Sequence, residues 1–202
     1  PDSWKNKYQD DYQTDDSYWI PFEYYVSWDI LQPHLLSYIS KAQKVLHVGC
    51  GTSTLGIDMS TAGALEVVNI DISESVIAEM RAKEKMIRKK GNPIKWRVRD
   101  ILQISEWGKS NEYDVIIDKG TIDTLACSDL ASRMIATAFT GISNSLQPNG
   151  YFIVISNGDE EIRGVFFDYP VYNWRCVEIV KIPKPLISDT YYYMYVYQKN
   201  EE

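Results

Sequence analysis

At 202 residues, the chain is long enough for one α/β domain with a well-buried core. A formal net charge of −7 disfavours non-specific nucleic-acid binding, which depends on neutralising phosphates. Three widely spaced cysteines, Cys50, Cys127 and Cys176, with no Cys-x-x-Cys pair, fit neither a disulfide framework nor a zinc site and point to a reducing compartment.

The opening is polar and dense in rings, from Trp4 and Tyr8 through Tyr12, Tyr18, Trp19 and Phe22 to Tyr24, Tyr25 and Trp28. Its first residues, Pro-Asp-Ser-Trp-Lys, do not read as a signal peptide, and no apolar run approaches the length of a membrane span. A helix is predicted over 25–40, a strand over 44–50, a short helix over 54–62 and a second strand over 65–71. Ser73 and Ser75 offer caps for a helix over 74–90, which Gly91-Asn92-Pro93 ends. Lys83, Lys85, Arg88, Lys89 and Lys90 read as the exposed face and end of that helix, where cations complement the dipole. Strands follow over 94–100 and 113–119, then a helix over 128–146, and Pro148-Asn149-Gly150 turns the chain into a strand over 150–156. Two last runs, 173–182 and 191–199, are separated by Pro183-Lys184-Pro185 and a polar bend, and read as an antiparallel pair. The expected fold is α/β: a Rossmann-like, doubly wound sheet of seven strands, mostly parallel with a C-terminal antiparallel hairpin, in one domain over 1–202.

Ligands in such sheets bind beyond the carboxyl ends of the strands. The first strand runs Val45-Leu46-His47-Val48 into Gly49-Cys50-Gly51, and the second, Val67-Val68-Asn69-Ile70, closes in Asp71. Glycines let the backbone pass close under a ligand, and Asp71 is placed to accept from a ribose diol. A dinucleotide turn would carry Gly-x-Gly-x-x-Gly, but Gly49-Cys50-Gly51-Thr52-Ser53-Thr54 lacks the third glycine and Gly56 comes too late. A nucleoside without phosphate fits better, and S-adenosyl-L-methionine is the common one. Asp100 suits the adenine amino group, with Ile101 as the adjacent backbone and apolar contact; a helix N-cap is its alternative role.

Asp118-Lys119-Gly120-Thr121-Ile122-Asp123 follows the apolar run Val115-Ile116-Ile117 and opens toward the same cleft. Two carboxylates and a lysine suggest contact with a cation or with the methionine portion of the cofactor, Asp118 or Asp123 orienting an incoming amine; a salt-bridged loop is the plainer reading. The aromatic segment, 1–24, is placed to close over a sulfonium and exclude water, although most of its rings are expected to pack. His34 and His47 lack a partner motif and read as structural, and Ser156 lacks a Gly-x-Ser-x-Gly context.

Together these residues resemble the seven-stranded S-adenosylmethionine-dependent methyltransferases, and within them the methyltransferase-like lysine methyltransferases that modify eukaryotic elongation factor 1-alpha. The resemblance rests on Trp4-x-x-x-Tyr8, Val45-Leu46-x-Val48-Gly49-Cys50-Gly51, Asp71-Ile72-Ser73, Asp100-Ile101, Asp118 through Asp123, and the Tyr-rich close through Gln198-Lys199. The Lys-Gly-Thr-Ile-Asp run is the most specific of these. Lys5 departs from the acid that the family carries after the first Trp, and Asp118 replaces its Glu before Lys-Gly-Thr. The resemblance implies cofactor contacts from Trp4, Tyr8, Trp19, Gly49, Gly51, Asp71, Ile72, Asp100, Ile101 and Lys119.

The expected activity is methyl transfer from S-adenosyl-L-methionine to a lysine of a protein substrate such as elongation factor 1-alpha, in the cytoplasm, without a metal and without nucleic-acid or membrane contact. Asp118 and Asp123 are the candidate catalytic residues, orienting the amine once a carboxylate or water has taken its proton. A methyltransferase for a small molecule or another protein site, and a non-catalytic cofactor-binding regulatory module, are the alternatives.

Overall fold

Val45–Val48 (β1), Val67–Asp71 (β2), Ile94–Val98 (β3), Tyr113–Lys119 (β4), Leu146–Ser156 (β5), Trp174–Pro183 (β6) and Tyr191–Lys199 (β7) form one sheet in the order β3-β2-β1-β4-β5-β7-β6. The computed structural model describes residues 23–88, 90–167, 169–184 and 188–201; Trp4, Tyr8 and Trp19 lie outside the described residues. Strands β1 to β5 pair in parallel, whereas β7 is antiparallel to both β5 and β6. Among the described residues the α-helices are Trp28–Ile39 (α1), Leu55–Thr61 (α2), Glu74–Ile87 (α3), Ile104–Trp107 (α4), Thr121–Ala126 (α5), Ala131–Ser145 (α6) and Glu160–Phe167 (α7).

Side chains alternate along each strand, so the central strands feed two cores. Leu46, Val48, Phe152, Val154, Tyr195 and Tyr197 pack with Ile135, Phe139 and Ile142 of α6. Val45, Ile153, Ile155, Met194 and Val196 face the other way, against Leu31, Leu35 and Ile39 of α1 and Leu55 and Met59 of α2. This is the doubly wound sheet that the sequence predicts. The chain moves outward from β1 to β3, then returns to the other side of β1, where Val48 pairs with Asp118. That reversal opens a crevice at the carboxyl ends of the strands.

Several boundaries shift for local reasons. β1 stops at Val48 because Gly49 and Gly51 take φ of +53° and +52°, which break the ladder. α1 begins at Trp28 rather than 25, since Tyr25 has φ 69°. α3 ends at Ile87, where Arg88 becomes extended and pairs with Glu84 at 2.5 Å. β5 begins at Leu146, ahead of the predicted 150. Pro148-Asn149-Gly150 forms a bulge within it, across which pairing jumps from Tyr113↔Leu146 to Val115↔Tyr151. α4, α5 and α7 are too short to show a helical period in sequence. No helix among the described residues is long and apolar enough to cross a membrane.

Candidate active site

The turn between β1 and α2 forms the floor of the crevice. A Cβ added to Gly49 would sit 1.9 Å from Thr121 Oγ1, which donates to the Val48 carbonyl at 3.2 Å. Gly51 N–H donates to Asp71 Oδ2 at 3.0 Å, and Ser73 N–H donates to Oδ1 at 2.9 Å. Burial pushes the Asp71 carboxyl above its ordinary range, and backbone N–H groups of Ser73, Gly51 and Ile72 partly offset this. An ionised carboxylate has about four acceptor positions, so Asp71 keeps capacity for hydroxyls of a ligand. Thr52 Oγ1 is buried and has no hydrogen-bond partner among the described residues. A floor closed to side chains, a spare-capacity carboxylate and an orphan hydroxyl fit a ligand that brings sugar hydroxyls of its own.

Beyond β2 and β3 lies a cleft of about 560 Å³ lined by Ile72, Val98, Arg99, Asp100, Gln103, Glu106 and Trp107. Ile72 is 63% exposed, an apolar surface at a strand end. Asp100 Oδ1 accepts from Leu102 N–H at 2.9 Å, so this residue caps the short 3-10 turn Ile101–Gln103 as the alternative reading expects. That cap engages one of its two carboxylate oxygens. Ile101 is buried with its side chain in the core.

At the end of β4 the carboxylates turn inward. Asp118 has no exposed surface and accepts from Thr121 N–H at 3.1 Å and Ile122 N–H at 3.2 Å, which caps α5. Burial pushes its carboxyl up to about 7, with the Ile122 N–H pulling the other way. Lys119 Nζ donates to Glu23 Oε2 at 2.7 Å and to the Tyr24 carbonyl at 2.8 Å. Glu23 also accepts from Ser53 Oγ at 2.8 Å and Thr54 N–H at 2.7 Å, so one carboxylate joins β4 to the β1–α2 turn. Burial raises the Glu23 carboxyl, but the Lys119 charge and these donors hold it below its usual range.

Asp123 is the most heavily bonded carboxylate of the site. Its Oδ2 accepts from Tyr25 Oη at 2.6 Å and Asn157 N–H at 2.7 Å. Its Oδ1 accepts from Ser156 Oγ at 2.6 Å, from Arg163 Nε at 3.0 Å and from Arg163 Nη2 at 2.9 Å. His47 lies within the sheet, Nδ1 3.0 Å from Asn69 Oδ1, and burial pushes it down to about 4, so it is a neutral core residue.

The structure thus gathers Gly49, Gly51, Asp71, Ile72, Asp100, Asp118, Lys119 and Asp123 at one end of the sheet. Tyr25, one of the opening rings, joins them through its hydroxyl, and Glu23 and Arg163 join them and escape sequence reasoning. Glu23 offers one signal, as the single acid in Phe22-Glu23-Tyr24-Tyr25. Arg163 offers only its spacing from Phe167, one turn on in α7, both buried.

A family model described as a methyltransferase domain matches residues 39–200. The chain is 30% identical over 156 residues to the eEF1A lysine and N-terminal methyltransferase of Danio rerio, a match covering 76% of this chain and 21% of that protein. It is 26% identical over 154 residues to the EEF1A lysine methyltransferase 4 of Bos taurus, covering 72% and 56%. The chain therefore spans about a fifth of the first relative and just over half of the second. Among solved structures, a SAM-dependent methyltransferase from Methanosarcina mazei superposes with a TM-score of 0.66 at 12% identity, over 84% of this chain and 98% of that one. The N-methyltransferase NodS of Bradyrhizobium japonicum, in complex with S-adenosyl-L-homocysteine, gives 0.65 at 19% identity, over 85% of each chain. At those identities the structures share the fold. With the family model spanning most of its length and the glycine–aspartate crevice in place, the chain belongs to the methyltransferase domain family, in its seven-stranded S-adenosylmethionine-dependent fold.

Proposed function

We propose that the chain is an S-adenosyl-L-methionine-dependent methyltransferase whose acceptor is a lysine side chain of a protein, with elongation factor 1-alpha as the first candidate. The observation that carries the cofactor reading is Asp71, held by the Gly51 and Ser73 N–H groups beside the exposed Ile72 and the Asp100 cleft. The acceptor reading is supported by the names of the curated relatives. It includes a cytoplasmic setting, where Cys50, Cys127 and Cys176, none of them in a disulfide, would stay reduced.

When bound, S-adenosyl-L-methionine supplies an electrophilic methyl on a sulfonium that departs as a neutral thioether. Gly49 and Gly51 would admit it close to the backbone. Asp71 would accept from the ribose hydroxyls, Ile72 would cover the base, and Asp100 would accept from its amino group. Lys119 acts at one remove, because its ammonium holds Glu23 and the Tyr24 carbonyl. Asp118 and Asp123 serve as positioning residues: the first caps α5, and the second sets Tyr25, Asn157 and Arg163 around the acceptor side. The acceptor nitrogen must be neutral to attack, and its proton leaves to water.

Calorimetric titration with S-adenosyl-L-methionine tests the cofactor. Methyl-labelled cofactor added to a eukaryotic lysate, with mass-spectrometric location of the label, tests the acceptor. Binding with methyl-lysine as product is the expected result. Binding with no labelled product would make the chain a cofactor-holding module, and no binding by folded protein would overturn the reading.

A further inference from the structure

A second polar cluster sits at the carboxyl edge of the sheet, where β5 ends and β7 begins. Ser156 pairs with Tyr193, and Pro183 at the end of β6 pairs with Tyr191, so three strand ends meet here. Tyr192 packs on the α1 side of the sheet, its ring 4.8 Å from that of Tyr25. The Tyr25 ring lies 4.3 Å from that of Tyr24, and its hydroxyl is anchored on Asp123 Oδ2 at 2.6 Å. The same oxygen accepts from Asn157 N–H at 2.7 Å. Asp123 therefore sets both the aromatic cluster and the Asn157 backbone.

A cation already uses this arrangement. Lys184 Nζ, from the connection between β6 and β7, lies 4.7 Å from the Tyr192 ring centroid and donates to Asn157 Oδ1. A π face attracts the charge and an amide oxygen accepts an N–H, which together are what a primary ammonium on an alkyl stem requires.

We propose that Tyr192 and Asn157 form a binding site for a primary alkylammonium, the tip of the acceptor lysine, and that Lys184 is its built-in occupant, displaced when the acceptor enters. The identity of the ligand rests on the lysine-methylation reading above; the site itself rests on the ring, the amide and the cation between them. Lys184 acts as an internal competitor that sets the threshold for acceptor binding.

The probe is n-butylammonium, with n-butanol as the uncharged control, followed by tyrosine ring NMR shifts in the full chain. Lys184→Ala should bind the amine roughly tenfold more tightly than the native chain, the scale of one partly desolvated cation–π contact. Adding Tyr192→Leu should remove that gain, adding Tyr192→Phe should keep it, and n-butanol should show no such pattern. Circular dichroism establishes that each variant is folded. Equal amine affinity in the native chain and Lys184→Ala, or a gain that survives Tyr192→Leu, overturns the site. Titration of the same samples with S-adenosyl-L-methionine separates the two readings. Cofactor binding without amine binding sinks the ammonium site alone. Amine binding without cofactor binding keeps the site and removes its assignment to a methyl acceptor.

Discussion

Lys119 Nζ and Glu23 Oε2 meet at 2.7 Å across 96 positions of sequence, the lysine side chain 2% exposed and the glutamate 18%. The pair ties the end of β4 to the segment entering α1, while Ser53 and Thr54 bring the glycine turn to the same carboxylate. Removing one partner strands a buried charge. Glu23→Gln should lower stability by about 3 kcal/mol in urea unfolding, on the scale of broken buried pairs. Adding Lys119→Met should restore part of that loss, because no buried charge remains; a double-mutant cycle showing no coupling would count against the link.

Asp71 is where cofactor binding should be most sensitive. Asp71→Ala leaves the Gly51 N–H without its acceptor and removes the group proposed to take the ribose hydroxyls. Affinity for S-adenosyl-L-methionine should fall by about 1–3 kcal/mol in calorimetry, as for a lost hydrogen-bonded charge. Asp71→Asn should lose less, since it keeps an acceptor oxygen. Unchanged affinity in Asp71→Ala would place the ribose elsewhere.

The carboxylate of Asp123 is taken up by Tyr25, Ser156, Asn157 and Arg163, which leaves little acceptor capacity for a substrate proton. Asp123→Asn should therefore act through structure. The buried Arg163 loses its counter-ion, and stability should drop by about 3 kcal/mol. Methyl transfer should slow, while the pH dependence of kcat keeps its shape. A profile that loses its acidic limb in Asp123→Asn would instead make this carboxylate the base.

Stability should respond to pH through two buried groups with opposite signs. Burial pushes Asp118 up to about 7 against an unfolded value near 3.9, so the folded chain holds that proton more tightly. Its contribution is complete below about pH 4 and is lost as pH rises toward 7. Burial pushes His47 down to about 4 against roughly 6.5 unfolded, so its contribution is complete above about 6.5 and is lost as pH falls toward 4. The two slopes oppose each other between these limits. In Asp118→Asn the histidine slope stands without its opponent, and stability should climb with pH by up to ~1.4 kcal/mol per unit more than in the native chain. Urea midpoints measured from about pH 4 to 7 check this, and parallel curves would contradict it.

The strands are readable in the sequence because buried parallel strands are runs rich in β-branched residues, as in Val67-Val68-Asn69-Ile70 and Val115-Ile116-Ile117. Asp71 is readable too, since Gly51 and Asp71 belong to a single β–α–β unit whose geometry is local. Asp118 shows the limit of that reading. Placed at a strand end it looks chemical, yet the free N–H groups opening α5 take its carboxylate. Glu23 with Lys119 and Asp123 with Arg163 depend on packing, because each joins segments that meet only once the sheet is built. Periodicity records which face of an element is buried; it does not record which distant charge or ring waits on the other side.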